Sequence, residues 1–219
     1  MLAACGGQPE RSFSPHAEGV PLFVMVSSTG AAVNELRAGR LAGARTQLEE
    51  ALTRNPDGLS SLSDLALSYA MEERFDAARH LLEEVLARGT LRDQQVALVN
   101  LGELYALEGY LTAAAAHLSS ALAIDPGRAE PAYALWLLSD VRGDRAGAAL
   151  FQREALEADR SGAARKDLIF LYPEERLHVE ALVAEGSGEV GNATSRWREL
   201  ARGRFQTLAQ VAQRHLEEP

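Results

Sequence analysis

The residues of this chain that could do chemistry are its histidines, pairs of neighbouring carboxylates, one glycine-rich hexapeptide and one cysteine. The five histidines are His16, His80, His117, His178 and His215. No two stand three or four residues apart, so no helix face carries a pair, and H-E-x-x-H is absent. A helical metal site needs that spacing to bring two ligands onto one ion. Glu49-Glu50, Glu72-Glu73 and Glu83-Glu84 are adjacent in sequence, and adjacent side chains on a helix diverge instead of sharing a proton. Gly186-Ser187-Gly188-Glu189-Val190-Gly191 satisfies G-x-G-x-x-G. Dinucleotide binding requires that motif between a strand and a helix; here it follows a helical pattern and falls at a predicted inter-helix turn. Neither G-x-S-x-G nor a P-loop occurs. No set of nucleophile, base and orienting group emerges. The reading is a protein that is not an enzyme, with no metal and no cofactor.

Partner class follows from charge. The net charge of −9 repels the phosphate backbone of nucleic acids and anionic lipid headgroups alike. The arginines Arg196, Arg198, Arg202 and Arg204 read as offsets to nearby acids. No run of 18 apolar residues is present, so no helix is expected to span a membrane. The expected partner is another protein or peptide, and the oligomeric state is left undefined. A single cysteine, Cys5, excludes an internal disulfide framework. It stands in Leu2-Ala3-Ala4-Cys5-Gly6-Gly7, which resembles the lipobox of bacterial lipoproteins. That resemblance implies lipidation at Cys5, and several acyl chains together anchor stably. With Gly6 rather than Asp after the cysteine, the family's sorting rule implies the outer membrane, facing the periplasm. Residues 1–24, rich in Gly, Pro and Ser after the cysteine, read as a tether. The other setting consistent with the chain is the cytoplasm, with Cys5 incidental.

The remainder is a repeat, the feature to seek first in any sequence. Alanines fall at Ala44, Ala78, Ala114, Ala148 and Ala193, separated by 34, 36, 34 and 45 residues. Five residues before each lie Gly39, Glu73, Gly109, Gly143 and Gly188; seven after lie Ala51, Val85, Ala121, Ala155 and Leu200. The clearest unit, 95–128, contains Leu98, Leu101-Gly102, Tyr105, Gly109, Ala114, Leu118, Ala121 and Pro126. Leu98, Leu101 and Tyr105 share one helix face. Gly102 and Ala114 are small so that two helices can cross closely, Gly109 relieves a helix end, and Pro126 stops the second helix. The fourth unit departs from this, with Trp136 at the small site and Ser139 at the aromatic one, so its helix crossing is expected to be wider or shifted.

These positions resemble the tetratricopeptide repeat. The resemblance implies an all-α, right-handed superhelical solenoid over residues 25–217. Its five helix hairpins occupy about 25–58, 59–94, 95–128, 129–162 and 174–205, and a capping helix occupies 206–217. It also implies a concave groove lined by the first helix of each unit and filled by a partner segment. The groove positions carried over are Ser63, Leu67, Val99, Glu103, Glu130, Tyr133, Leu137, Asp140, His178 and Glu185. They are apolar towards one end and acidic towards the other, which would suit a basic-apolar segment. The Lys and Asn clamp that some relatives use for a C-terminal carboxylate is missing. Residues 163–173 interrupt the repeat with Leu168-Ile169-Phe170-Leu171-Tyr172. This run is expected to pack on units four and five, or, through Leu168, Phe170 and Tyr172, to be a docking patch. The small tetratricopeptide lipoproteins that assist pilus, secretin or motility assemblies offer the nearest analogy for function.

Overall fold

A computed structural model describes residues 30–217; Cys5 and the tether lie outside that range. Every regular element among the described residues is a helix. In chain order they are α1 (Ala31–Arg37), α2 (Leu41–Arg54), α3 (Leu59–Met71), α4 (Phe75–Arg88), α5 (Leu91–Leu107) and α6 (Leu111–Ile124). They continue with α7 (Ala129–Val141), α8 (Arg145–Ala158), α9 (Ala163–Asp167), α10 (Pro173–Gly186), α11 (Val190–Leu200) and α12 (Gln206–Glu217). The first eight form four hairpins stacked into a tetratricopeptide-like solenoid, each helix packed on the next. Helices α10 and α11 form a fifth hairpin, and α12 packs on α11.

All five hairpins turn the same way, and the period of the sequence explains why. Each first helix ends in a left-handed residue: Gly39, Gly109, Gly143 and Gly188 at φ between 69° and 85° in four units, and Glu73 at φ 59° in the second. Around each, two backbone bonds close the helix end. In the third unit Gly109 N donates to Ala106 O at 2.9 Å and Tyr110 N to Tyr105 O at 2.7 Å. The same pair recurs at Gly39, Glu73, Gly143 and Gly188. This is the Schellman arrangement, which satisfies otherwise orphaned carbonyls and wants glycine at the left-handed site.

Small residues set the crossings. Ala44, Ala78, Ala114 and Ala193 are buried. A Cβ added at Gly102 would lie 2.7 Å from Leu118 on the facing helix, so α5 and α6 are already as close as side chains allow. Unit four moves this contact: Ser139 of α7 lies against Gly147 of α8, where an added Cβ would come within 2.8 Å of the serine hydroxyl. Trp136 is buried beside Tyr133 with ring centroids 6.3 Å apart, and Ala148 is only half-buried. The crossing is thus shifted. The second unit lacks a closing proline, and α5 starts at Leu91, ahead of the repeat boundary at 95. Thr90 and Asp93 cap it reciprocally: Asp93 N donates to Thr90 Oγ1 at 3.3 Å and Thr90 N to Asp93 Oδ2 at 3.0 Å.

Candidate binding face and the polar latch beside it

The first helices of the stacked hairpins carry the positions assigned to the groove. Ser63, Leu67, Val99, Glu103, Glu130, Tyr133, Leu137, Asp140 and His178 are all buried, and only Glu185 keeps a partly open side chain. Three of the acids are satisfied inside the chain. Glu130 takes Arg128 at 2.7 Å and Arg92 at 3.4 Å. Asp140 and Glu185 take histidines, as described below. The acidic end is therefore a set of internal pairs in this conformation.

Residues 159–172 run across the same face. At the start of this segment, Asp159 accepts the Tyr133 hydroxyl at 3.1 Å and the amides of Ala164 and Arg165 at 3.0 and 3.1 Å. That bond and burial hold the Tyr133 phenol above its ordinary pKa; burial is the larger cause. The short helix α9 rests on α7. The chain then reaches the opposite end of the stack, where Arg37 of α1 donates to Asp167 O at 2.9 Å. Leu168 and Ile169 join the core. Finally the Tyr172 hydroxyl donates to Glu73 Oε1 at 2.8 Å. Because first helices line the inside of the curve, a segment joining α7 to α1 and α3 is a chord across it.

The expected docking patch thus divides. Leu168 is buried. Phe170 is half-buried under the Arg176 guanidinium at 4.9 Å. Tyr172 lies edge-on to Phe205 at 5.2 Å, with Arg204 4.8 Å over its ring. The segment does pack on units four and five, and it also reaches units one and two, a contact that no local pattern predicts.

Beyond this segment, α10 is set across the stack. Tyr172, just before it, touches the end of α3. His178 touches the end of α7. A Cβ on Gly186, at its far end, would press on Gln152 of α8. Helix α12 returns to α7 as well. The junction is a buried cluster centred on one carboxylate. His178 Nε2 lies 2.6 Å from Asp140 Oδ2, and His215 Nε2 lies 2.9 Å from Asp140 Oδ1. His215 Nδ1 is 2.9 Å from Glu185 Oε2, which also receives Trp197 Nε1–H at 2.7 Å. Arg214 donates to the Asp140 carbonyl at 2.7 Å. Both nitrogens of His215 face carboxylates, and only an imidazolium can donate from both. Burial alone would lower its pKa, but the bonds to Asp140 and Glu185 outweigh burial and raise it to about 9. Burial would likewise raise Asp140, yet the two histidines hold it well below the usual carboxylate range; Glu185 is lowered for the same reason. The indole of Trp197 stacks on His215 with centroids 4.1 Å apart and planes 9° from parallel, a favourable cation–π arrangement.

Next to this latch lies a cleft of about 640 Å³ between α7, α8, α10 and α12, floored by Trp136, Ala148 and Leu182 and edged by Arg145, Gln152 and Glu185. Sequence reasoning placed Asp140, His178 and Glu185 on one face but did not find His215, the residue that ties them together. The signal for it lay in the amphipathic cap carrying a histidine among its last residues. Among the described residues no group of three His, Cys, Asp or Glu side chains could hold a metal ion. No described helix is long and apolar enough to cross a membrane.

Comparison with known proteins agrees with this architecture. Residues 29–90 and 63–129 match the family model for the tetratricopeptide repeat. No curated protein matches the chain. Among solved structures, a thermophilic TPR protein of Thermus thermophilus is similar at 22% identity and a TM-score of 0.56, covering 84% of this chain and 95% of that one. The structure of MamA is similar at 16% identity and a TM-score of 0.47, covering 87% and 99%. No catalytic family is indicated, and the fold is typically a non-enzymatic scaffold for protein–protein interaction. The described chain is a tetratricopeptide-like helical solenoid, and its first three hairpins carry the repeat in the form that the family model matches.

Proposed function

We propose that this chain is a non-enzymatic scaffold that holds another protein, anchored by lipid at Cys5 to the periplasmic side of a bacterial outer membrane. There it assists assembly of a pilus, secretin, motility or other envelope complex. The observation that carries the scaffold reading is the wall of first helices α3, α5 and α7, each closed by a hairpin turn of one geometry. Such a wall presents a long surface from a few repeated contacts. The anchor rests on Leu2-Ala3-Ala4-Cys5-Gly6, and the choice of envelope complexes rests on analogy with small lipoproteins of similar repeat content. The partner meets the inner face or the cleft beside the latch. Labelled palmitate given to the native bacterium tests the anchor. Label in the native protein and none in Cys5→Ser is the expected result. An unlabelled native protein in the soluble cell fraction would instead make the chain a cytosolic adaptor with the same binding face. Crosslinking from photoreactive residues placed at Gln152 and Val96 tests the scaffold itself.

A further inference from the structure

The geometry points to residues 167–172 as a resident stand-in for the partner. The inner face recognises a segment that opens with an acidic residue, continues with consecutive apolar residues and closes with tyrosine, and the chain's own strap holds that place until a partner displaces it. This deepens the scaffold reading and rests on it.

Three observations carry the inference. First, the strap is seated by its ends and its side chains together: Asp167 at Arg37, Leu168 and Ile169 in the core, and the Tyr172 hydroxyl on Glu73. The Asp167 carboxylate itself lies 3.6 Å from Arg37. A surface that binds four features of one short segment states the chemistry of what it accepts. Second, Glu73 is the only described non-glycine residue in the left-handed region. Glycine serves at the matching place in the other four units, and a side chain there costs about 1 kcal/mol. The glutamate at this one turn is the acceptor for the strap's tyrosine, so the strain coincides with a recognition contact. Third, the seat is larger than the strap. A cavity of about 550 Å³ stays open at its acidic end, among Arg37, Arg92, Arg128, Glu130 and Asp167. Arg92 and Arg128 share the single carboxylate of Glu130. Arg92 also donates to Gln95 at 2.9 Å, whereas Arg128 Nε is without a partner, so a partner with further acidic residues ahead of its apolar run finds a guanidinium donor there that the strap leaves unused.

The test uses the full chain and a labelled nonapeptide with the sequence of residues 165–173, read by fluorescence anisotropy. In the double variant Leu168→Ser/Ile169→Ser the cis strap loses its anchoring side chains, so the peptide is expected to bind at least about tenfold more tightly than to the native chain, where the strap competes at high effective concentration. Replacing the peptide's tyrosine by phenylalanine weakens that binding several-fold, and the further change Glu73→Gly, which removes the acceptor, abolishes the difference. A double variant that is folded by circular dichroism and binds no better than the native chain overturns the inference. If the double variant does not fold, hydrogen exchange on the native chain and Tyr172→Phe decides. The amides of 168–172 are expected to exchange ahead of those of α5 and to speed up several-fold in Tyr172→Phe. Exchange of both segments in step, in both proteins, overturns it. Envelope crosslinks that persist after such a result leave the scaffold reading standing with a different contact surface.

Discussion

His215 is the sharpest place to test the account of the latch. Its imidazolium bridges Asp140 and Glu185 and lies under Trp197, joining α12 to α7 and α10. Substitution by glutamine keeps a donor of similar reach and removes the charge. The pKa is raised from 6.5 to about 9. At about 1.4 kcal/mol per unit this is a ceiling of roughly 3.4 kcal/mol. The side chain keeps 17% exposure, solvent screens part of the attraction, and the depressed values of Asp140 and Glu185 describe the same bonds and are not added. About 2 kcal/mol is the working figure. Because the folded-state pKa lies above the unfolded value, this stability is complete below about pH 6.5 and is lost as pH rises through about 9. Urea unfolding followed by helical ellipticity at pH 6, 7.5 and 9.5 reads it directly. The native chain should lose about 2 kcal/mol over that range, and His215→Gln should start about 2 kcal/mol lower at pH 6 and change little. Parallel curves for the two proteins, or equal stability at pH 6, would refute the assignment of charge to His215.

Other substitutions probe the stack. Gly102→Val places a branched side chain where a Cβ already comes within 2.7 Å of Leu118, and thermal unfolding should show a loss of about 2–3 kcal/mol. Thr90→Ala removes the side-chain half of the α5 cap and should cost about 1 kcal/mol by urea titration. Glu73→Gly relieves the left-handed strain at φ 59°, worth about 1 kcal/mol, while losing the Tyr172 bond. Its overall stability should stay within about 0.5 kcal/mol of native, whereas proteolysis within 168–172 should accelerate.

The turns and the crossings were legible because each depends on one residue type at one place. A left-handed helix end selects glycine, a close crossing selects glycine or alanine, and both recur with the period of the hairpin. Glu73 broke that rule in the sequence, and its reason was invisible there because its partner, Tyr172, stands 99 residues away. The groove positions were legible as a face but not in their state. Leu67 and Val99 are fully enclosed, and that state is set by tertiary packing, which no periodicity encodes. The latch was partly legible, since Asp140, His178 and Glu185 fall on first-helix positions. His215 lies in the cap, and the return of α12 to α7 follows from tertiary packing alone.

That return has a physical cause in unit four. In the third unit Gly102 and Ala114 bring the helices together, and their small size leaves the next hairpin a flat seat. With Trp136 at the small site, the close contact moves to Ser139 and Gly147, and Ala148 is no longer fully enclosed. The outer surface of α8 then offers α10 little beyond the contact at Gly186. An additional eleven residues, 163–173, allow the fifth hairpin to leave the register and swing its first helix across the stack. Helix α12, whose Leu208, Val211 and Ala212 are buried, packs on α11 and reaches α7 instead, while His215 clamps the end of α7. One oversized residue at a crossing, a long connection and a charged clamp are thus parts of a single solution. Restoring the small residue alone, as in Trp136→Gly, would open a void beside Tyr133 without bringing α10 back, because the connection and the clamp already fix it elsewhere.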